Sequence, residues 1–598
     1  MHPPSSGNRL AIGLSPASQA LLQRLHQRGH VDTIATSGTA EPSLRMHWQS
    51  GHVVVFVGAV GAVTRLIAPH LQGKERDPAV LVLDPRGQWC IPLLGGHSSG
   101  AEQLARELAA DLGGLAVLTG ACASEGRLAL DAVGHAWGWR RGGSTAAWRQ
   151  LMQGQARGTE ISVRQTAGVR AWHEPDARSL LRTVEELSGD PPISPQLSIG
   201  PEIDAPCRWH PATLWLGVGC ERHTSTSLVE RAIQTSLAES GLAIEAVAGL
   251  ASAERKADET ALLEITAQQS WPFQTFAAEQ LDRITVPTPS ERVRAEMGTG
   301  SVAEAAALLA AGNSSVLRQS KRIHRPEAGE HGAVTVAIAE TAAPFAPQRG
   351  ELHLIGSGPG DPALLSGDAR KALERCVAWV GYSLYLDLLE PLRRRDQVRI
   401  EGRLTREWER CSEALAFAKQ GAKVALISSG DSGIYGMAGL ALELWLQEPA
   451  DARPSFTVHP GISALQLAAA KAGAPLMHDF CTVSLSDRLT PWPVIEQRLE
   501  AAGEGDFVVA LYNPRSRDRD WQLERAQQIL LAKRSGETPV VLARQLGRAE
   551  EEIRLTTLDK LEPASVDMLT VVLIGNSSSY AQDGRMVTPR GYPGATLH

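Results

Sequence analysis

The stretch Leu352-His-Leu-Ile-Gly-Ser-Gly-Pro-Gly-Asp-Pro362 decides the fold of the last part of the chain. Its first residues, together with Glu351, predict a short buried strand, and the glycines that follow predict a tight turn. Three glycines at alternate positions let the backbone bend sharply and approach another group closely. Taken alone the turn is a weak signal, because many glycine-rich turns only join a strand to a helix.

Four later stretches repeat this arrangement, in which an apolar strand ends in small residues. Ligands of open α/β sheets bind beyond the carboxyl ends of the strands. We therefore expect one ligand-binding edge, where backbone N–H and C=O groups are free to hold an adenosine moiety. The stretches are Val424–Gly436, Val458–Ala464, Phe507–Ser516 and Val571–Ser577.

In this order the motifs resemble those of the tetrapyrrole methylase family, which carries G-x-G-P-G-D, GD-x-G-x-YG and PG-[IT]-[ST]-A. Further segments are similar to the precorrin-3B C17-methyltransferase branch of that family, and the resemblance covers Gly350 to about Ser579. It implies a two-domain α/β fold, S-adenosylmethionine as methyl donor in the cleft between the domains, a tetrapyrrole substrate and a homodimer. The branch-specific segments are Gly473–Phe480, Ser484–Asp487, Thr490–Trp492 and Tyr512–Ser516.

The resemblance also implies which residues hold the cofactor. One loop should bind the methionine and sulfonium end, a second loop should form another wall of the pocket, and two residues of a third should lie nearby. The alternative is that Gly433 and Gly461 only shape tight turns. The cofactor residues are Gly430, Asp431, Gly433, Ile434 and Tyr435, then Pro460, Gly461, Ser463 and Ala464, then Tyr512 and Asn513.

Substrate-binding candidates are arginines, because a substrate with many acetate and propionate groups suits fork-like guanidinium groups. Arg488, Arg515 and Arg517 lie in or beside the matching motifs, although each is equally consistent with a solvated surface charge. His478 and Asp361 are the acid–base candidates. His478 is nearly as consistent with a structural histidine on a buried turn, and Asp361 with a cap of the helix that begins near Pro362.

The N-terminal half alternates apolar runs, such as Val53–Val57 and Ala79–Leu83, with glycine turns and helical patterns. This pattern predicts buried parallel strands in βαβ units. The segments Gly58–Pro69, Asp77–Val80 and Leu93–Ala101 resemble the cobalt-precorrin-5A hydrolase family, which opens a ring-contraction lactone and releases acetaldehyde.

The hydrolase motif contains His97, which is a candidate general base for water or for the released alcohol, or equally a helix cap. The surrounding residues Gly95, Ser99 and Glu102 depart from the family's usual Ser, Gly and Asn. These departures keep open an alternative in which the methylase is fused to a non-catalytic tetrapyrrole-binding module.

A second segment set resembles the C-terminal domain of the same hydrolase family, namely Gly217–Cys220, Ser252–Glu259 and Gly298–Ala306. Within it, Lys256 and Glu259 either bind a substrate carboxylate and move a proton or form an ordinary helical surface pair, and the surface pair is slightly favoured. The chain shows no metal-ligand cluster, because Gly29 and an exposed helix make His26 and His30 a poor zinc site.

We thus predict a multidomain α/β protein: an α/β hydrolase-like half with a small separate C-terminal module, followed by a two-domain methylase. The predicted domains are 1–136, 137–211, 212–343 and 350–598, with linkers around Asp190–Ala212 and at Pro344–Gly350. The second linker looks like a spacer between autonomous halves. The pathway order that the resemblances imply separates the two activities by another methylation, so direct transfer of substrate between the halves is not expected.

Composition excludes several functions for the 598 residues. A formal charge of −7 gives no basic footprint for nucleic acid, which disfavours the alternative of an RNA or diphthamide methylase on the same fold. No apolar run is long enough to span a membrane, and no signal peptide is recognised. Seven scattered cysteines fit reduced thiols in a cytoplasm. The expected protein is a cytoplasmic bifunctional enzyme of cobalamin synthesis, and the state of cobalt insertion stays open.

Overall fold

A computed structural model of the chain describes residues 9–73, 76–96, 99–119, 128–173, 180–184, 194–343, 349–402, 406–516 and 519–592. Within these ranges the strands form six sheets, which helices cover. The multidomain α/β class predicted from the sequence is confirmed. Among the described residues, no helix has the length and apolar character needed to cross a bilayer.

The first sheet has the order β2-β1-β3-β4-β5-β6, and its first four strands run parallel. Both strands predicted as buried runs are buried at every residue, as expected for parallel strands covered on both faces. The strands are β1 (Arg9–Gly13), β2 (Thr33–Thr36), β3 (Val53–Val57), β4 (Ala79–Leu83), β5 (Trp89–Leu94) and β6 (Leu115–Ala116); the helices are α1 (Gln19–Gln27), α2 (Ala40–His47), α3 (Val60–Ile67) and α4 (Ala101–Leu112).

The second sheet has the order β7-β11-β10-β8-β9 and contains residues that the sequence assigned to a linker. Its two strands between residues 197 and 210 hold inner positions, so the linker expected around Asp190–Ala212 is wrong over residues 194–212. The elements are α5 (Val133–Ala136), β7 (Arg140–Gly143), α6 (Thr145–Ala156), β8 (Ile161–Gln165), β9 (Leu181–Thr183), β10 (Leu197–Ile199) and β11 (Cys207–His210).

The third sheet has the order β14-β13-β12-β16-β15, with β12, β13 and β14 parallel and β15 and β16 antiparallel to their neighbours. The strands are β12 (Leu214–Cys220), β13 (Val247–Ala253), β14 (Phe273–Phe276), β15 (Val316–His324) and β16 (Val334–Glu340); the helices are α7 (Thr226–Glu239), α8 (Thr260–Gln269), α9 (Ala278–Asp282), α10 (Glu291–Met297) and α11 (Ala303–Ala311).

The fourth sheet has the order β19-β18-β20-β17-β21 and is parallel throughout. The carboxyl ends of its strands therefore meet at one edge, as the glycine-rich loops predicted. The strands are β17 (Glu351–Gly356), β18 (Ala378–Tyr382), β19 (Val398–Gly402), β20 (Lys423–Ser428) and β21 (Ser455–His459); the helices are α12 (Gly367–Arg375), α13 (Ser383–Leu389), α14 (Glu407–Lys419) and α15 (Ala438–Gln447).

The last part of the chain forms a mixed sheet of order β23-β24-β27-β25-β26 and a small sheet of order β22-β29-β28. The strands are β22 (Gly473–Ala474), β23 (Phe480–Ser484), β24 (Val508–Tyr512), β25 (Pro539–Arg544), β26 (Glu552–Thr557), β27 (Thr570–Ile574), β28 (Tyr580–Gln582) and β29 (Arg585–Val587); the helices are α16 (Ala464–Ala472), α17 (Trp492–Glu504) and α18 (Gln522–Leu531).

The second and fourth sheets share one hydrophobic core, which joins the two halves of the chain. Fully buried Trp137 packs edge-on against Phe417 of α14, with ring centroids 6.1 Å apart. Helix α4 adds polar contacts, since Glu107 lies 3.2 Å from the Lys423 ammonium and Lys371 donates to the Asp111 carbonyl at 3.1 Å. The sequence treated the halves as autonomous, whereas the structure packs them together.

Candidate functional site

Three glycine loops meet at the carboxyl edge of the fourth sheet, after the neighbouring strands β17, β20 and β21. The Gly358 N–H donates to the Gly430 carbonyl at 3.1 Å, and the Gly430 N–H donates back to the Gly358 carbonyl at 2.8 Å. Both residues have positive φ, of 75° and 64°, which glycine adopts without strain. The first two loops therefore form one backbone-bonded unit.

Asp431 ties the third loop to the second. Its Oδ1 accepts the Gly433 N–H at 2.8 Å and its Oδ2 accepts the Gly461 N–H at 3.0 Å. A carboxylate that accepts two backbone N–H groups in this way fixes the geometry of both loops. Asp431 is therefore a positioning residue for the loops that were predicted to hold the cofactor.

The glycines of these loops differ in the space around them. A Cβ added at Gly461 would lie 2.1 Å from the Gly430 carbonyl oxygen, so close backbone packing requires glycine there. A Cβ added at Gly433 would meet only the Asp431 carboxylate, at 3.1 Å. Gly461 thus shapes the loops, while the Cβ side of Gly433 is open enough for a ligand.

Aromatic and apolar side chains border this open side. Ile434 and Tyr435 are 39% and 51% exposed, and the Tyr435 ring lies 5.1 Å from the ring of Tyr512. The Tyr512 hydroxyl accepts the Leu465 N–H at 3.0 Å, and burial raises the pKa of this phenol. Tyr435 has a φ of 53°, a strained conformation for a non-glycine residue that often marks functional sites.

The remaining predicted cofactor residues have structural partners in the same loops. Ser463 caps α16, accepting the Gln466 N–H at 3.3 Å, and Ala464 is the first residue of that helix. The Pro460 carbonyl accepts the Ser366 hydroxyl at 3.1 Å. Asn513 donates to Ser484 at 3.0 Å. The structure thus brings the predicted cofactor residues of the second and third loops close to Tyr512 at the end of β24.

The acid–base candidates lie in different surroundings. Asp361 is exposed and accepts the Ala363 N–H at 2.8 Å, which is the capping role considered as its alternative. It also lines an open cavity of about 480 Å³ together with Gln545 and Arg548. His478 is exposed, so its expected placement on a buried turn is wrong. His97 lies outside the described residues.

The predicted arginines are not brought together. Arg488 is exposed, Arg515 is partly buried and donates to the Pro563 carbonyl at 3.1 Å, and Arg517 lies outside the described residues. The sequence interpretation missed Arg519, which is only 4% exposed. Arg519 donates to the Ser486 hydroxyl at 3.4 Å, its Nε has no hydrogen-bond partner in the described structure, and burial lowers its pKa.

A buried histidine pair behind the third loop was also missed. The His353 and His459 rings contact each other through nitrogens 2.9 Å apart. The other nitrogen of His353 lies 2.8 Å from Glu351, and that of His459 lies 2.5 Å from Asp368. In the sequence His353 lies within an apolar run, and no local motif indicates a partner 106 residues away.

Burial alone would raise the pKa of Glu351, but the hydrogen bond from His353 and the charges of Lys423 and Arg375 lower it to about 2. Lys423 also contacts Glu107 of α4, 3.2 Å away. A chain of charged and polar contacts therefore runs from the N-terminal half to the residue that precedes Pro460.

In the N-terminal half, the Lys256–Glu259 pair is buried, so the favoured surface placement is wrong. Lys256 is 7% exposed and Glu259 is 3% exposed, and the ammonium lies 3.6 Å from the carboxylate. Cys220, at the end of β12, is half-buried nearby, and burial raises the pKa of its thiol to about 11. Among the described residues no group of three or more His, Cys, Asp or Glu is arranged to hold a metal ion.

These features define a class of protein: a multidomain α/β chain in which three interlocked glycine loops lie at the carboxyl edge of the fourth sheet. Residues 351–562 match the family model described as Tetrapyrrole (Corrin/Porphyrin) Methylases. Residues 43–123 match Cobalamin synthesis G N-terminal, and residues 214–339 match Cobalamin synthesis G C-terminus.

Curated relatives match the same C-terminal part. The probable cobalt-factor III C(17)-methyltransferase of Salmonella typhimurium is 50% identical over 241 residues, which are 40% of this chain and 99% of that protein. The precorrin-3B C(17)-methyltransferase of Sinorhizobium sp is 38% identical over 253 residues, or 41% of this chain and 99% of that protein. The crystal structure of the methyltransferase CobJ is 35% identical and covers 40% of this chain and 100% of that chain, with a TM-score of 0.39.

The chain belongs to the tetrapyrrole methylase family through its C-terminal part, and its earlier residues carry both cobalamin synthesis G domains. The family resemblances stated from the sequence are confirmed.

Proposed function

We propose that the chain is a bifunctional enzyme of cobalamin synthesis. Its residues 350–598 methylate C17 of a precorrin-3B-type tetrapyrrole with ring contraction, and residues 1–343 hydrolyse the lactone of cobalt-precorrin-5A and release acetaldehyde. The names of the curated relatives support the first activity, and the two cobalamin synthesis G domains support the second. The further division at residues 136 and 211 is part of this proposal.

The open Cβ side of Gly433 is the observation that carries the methyltransferase proposal. A ligand can approach the backbone there, beside the exposed side chains of Ile434 and Tyr435, whose apolar surface suits an adenosine moiety. The site therefore fits S-adenosylmethionine, which supplies an electrophilic methyl group when bound. Gly430, Pro460, Ser463 and Ala464 would form the backbone walls, with Tyr512 and Asn513 beside them.

The chain's own residues contribute mainly by positioning, which can supply much of the rate of a group transfer. Asp431 holds the second and third loops in register through two N–H groups. The Tyr512 hydroxyl accepts the Leu465 N–H and thereby holds the start of α16 beside the loops. Asp361 lies at the cavity and would meet the tetrapyrrole, although its Oδ1 already caps a helical turn.

Arginines are the proposed partners of the substrate's carboxylates. Arg488, Arg515 and Arg517 remain candidates from the sequence, and two further residues join them. Arg548 lines the cavity of about 480 Å³ together with Asp361. Arg519 carries a buried guanidinium whose only described acceptors are a hydroxyl and a thioether, which leaves donors for a carboxylate.

Two further properties are proposed from surface chemistry. Leu446 on α15 and Val458 on the edge strand β21 are 53% and 43% exposed, which supports a homodimer through the methylase part. Six described cysteines are free, which supports a reducing cytoplasm. A Leu446→Glu variant that sediments as a monomer, beside a dimeric unaltered protein, would support the dimer, and a monomeric unaltered protein would exclude it.

The deciding experiment uses the full-length chain with S-adenosylmethionine and, in separate reactions, precorrin-3B and cobalt-factor III. We expect a product one methyl group heavier from at least one substrate, and the preferred substrate shows whether cobalt enters first. A second assay supplies cobalt-precorrin-5A and measures acetaldehyde. Methylation without acetaldehyde would favour the alternative, a methylase fused to a non-catalytic tetrapyrrole-binding module, and no methylation would refute the main proposal.

A further inference from the structure

The Lys256–Glu259 pair lies at the carboxyl edge of the third sheet. Lys256 is the third residue after β13, and Glu259 begins the turn into α8. Cys220 ends the neighbouring parallel strand β12, so the three side chains share the edge where open α/β sheets bind ligands. The placement matches the position of the glycine loops in the methylase part.

The polar atoms of this pair are under-satisfied. Lys256 Nζ has three protons to donate, yet within the described residues its nearest anionic partner is Glu259 Oε2, at 3.6 Å, beyond hydrogen-bonding distance. Glu259 Oε2 is shielded from solvent and has no hydrogen-bond partner in the described structure. Such a buried ion pair is costly to maintain, so a fold that keeps one at a ligand edge has a candidate functional site.

The surrounding charges decide what the ammonium can bind. Arg222 is paired with Asp258 at 2.6 Å and also lies 3.7 Å from Glu259, so the cluster has as many carboxylates as cations. A further carboxylate placed on Lys256 would be repelled by Glu259. A neutral oxygen acceptor, such as an ester carbonyl or a ring ester oxygen, avoids this repulsion and still accepts a proton from the ammonium.

The start of helix α11 lies beside the same edge. A Cβ added at Gly219 would be 3.5 Å from the Cβ of Val302, the residue that precedes the helix. The first turn of this helix contains Glu304, which is fully buried, so the positive end of the helix is offset by a carboxylate. The edge therefore offers a proton donor without a net cationic charge.

We propose that Lys256 is the proton donor for lactone opening in the hydrolase half and that Glu259, 3.6 Å away, is the residue that positions its side-chain nitrogen at this edge. The proposal rests on the proposed hydrolase function and assigns its chemistry to a site in residues 214–340.

In this step, a water oxygen bonds to the lactone carbonyl carbon and the bond from that carbon to the ring oxygen breaks. The electron pair stays on the ring oxygen, which takes a proton from Lys256 and becomes an alcohol. The resulting amine takes up the proton that the attacking water sheds, and the new acid loses its proton to solvent. Acetaldehyde then leaves from this alcohol: the O–H proton goes to solvent, its electron pair forms the C=O bond, and the bond between the carbinol carbon and the macrocycle breaks. The macrocycle carbon keeps that electron pair and takes a proton, so no oxidant and no co-reactant other than water is needed.

The test compares Lys256→Met, Lys256→Arg and Glu259→Gln in the full-length chain, with cobalt-precorrin-5A as substrate and acetaldehyde as readout. Loss of a general acid typically lowers kcat by ~10²–10⁴-fold, so we expect that loss for Lys256→Met with KM changed less than threefold. Lys256→Arg keeps the charge but holds its protons too tightly to donate one, so it should lose nearly as much activity as Lys256→Met. Glu259→Gln should shift the alkaline limb of the pH profile to lower pH. Arg292→Met removes an exposed cation and should change nothing.

A second readout does not depend on turnover or on the hydrolase proposal. Removing the Lys256 charge should move alkylation of Cys220 by iodoacetamide, followed by peptide mass spectrometry, to higher pH, because that charge favours the thiolate. If the wild type releases acetaldehyde and the kcat of Lys256→Met lies within threefold of the wild-type kcat, the role of Lys256 is refuted while the hydrolase function stands. Absence of acetaldehyde with the wild type overturns the hydrolase function, and the assignment with it. An unchanged alkylation profile shows that Lys256 does not act at this edge.

Discussion

His353 Nδ1 lies 2.9 Å from His459 Nε2, and each imidazole turns its other nitrogen towards a carboxylate. The two imidazoles and the two carboxylates thus form one continuous chain of polar contacts from Glu351 to Asp368. Because His459 directly precedes Pro460, this buried chain of contacts anchors the third glycine loop to the strands beneath it.

Replacing His459 with alanine should therefore destabilise the protein and weaken cofactor binding together. The change leaves His353 Nδ1 buried without its partner, which typically costs about 1–3 kcal/mol. Urea unfolding and calorimetric titration with S-adenosylmethionine measure the two effects. Glu500→Ala removes an exposed side chain of α17 and serves as the control. Unchanged binding in His459→Ala would show that the loop holds its shape without the histidine pair.

Gly433→Val should abolish S-adenosylmethionine binding while leaving the unfolding temperature nearly unchanged. The added Cβ meets only the Asp431 carboxylate, at 3.1 Å, and the rest of the side chain extends into the space proposed for the ligand. Gly461→Ala is the matched comparison. Its Cβ would overlap the Gly430 carbonyl, so this variant should lose both cofactor binding and stability. Calorimetric binding of undiminished strength by Gly433→Val would place the cofactor elsewhere.

Glu351 should stabilise the folded chain in a pH-dependent way. Its pKa falls from 4.5 to about 2 on folding, so the stabilisation is complete above about pH 4.5 and disappears as the pH falls towards 2. At pH 7 we expect Glu351→Gln to lower the free energy of unfolding by on the order of 2 kcal/mol, allowing for partial solvent screening. Denaturant unfolding at several pH values should show this difference shrinking below pH 4.5, and Glu500→Gln, at an exposed site, should show none. A difference independent of pH would contradict the assignment.

Trp137→Ala should destabilise the methylase part although Trp137 lies more than 200 residues before it in the sequence. Truncating a fully buried tryptophan typically costs about 3–5 kcal/mol, and this one packs against Phe417 of α14. Heat inactivation of the methyltransferase and hydrogen exchange in α14 measure the effect. Trp408→Ala, 60% exposed on the same helix, is the control. The same contact predicts that residues 350–598 alone are less stable than in the full chain, and equal stability would restore the view of autonomous halves.

Much of the fold could be predicted because its signals are local. The apolar runs Val53–Val57 and Ala79–Leu83 became strands with those bounds, since continuous apolar residues suit strands buried on both faces. The second sheet was harder, because its short strands, such as Leu197–Ile199, lie among glycine, proline and serine and offer too few residues for a pattern. Their stability comes from tertiary packing around several tryptophans, which no local window records.

The candidate site likewise has parts with local sequence signals and parts without them. Glycine loops that follow strands indicate a ligand-binding edge in the sequence, and the structure brings those loops together. Arg519 and His459 could not be recognised, because their meaning depends on burial and on partners distant in the chain. Lys256 and Glu259 were placed on a surface because their i,i+3 spacing suits an exposed helix, whereas they flank a turn that the sheet edge encloses.

The core shared by the second and fourth sheets makes the order of the domains difficult to rearrange. If the chain were divided near residue 345, each fragment would expose an apolar face, that of Trp137 on one and that of Phe417 on the other. Such fragments would reassociate or aggregate through these faces. Evolution of two separate proteins from this chain would therefore first require polar substitutions on both faces. Recombination can therefore replace the methylase part of this chain only with a domain whose surface has an apolar patch that fits the face around Trp137.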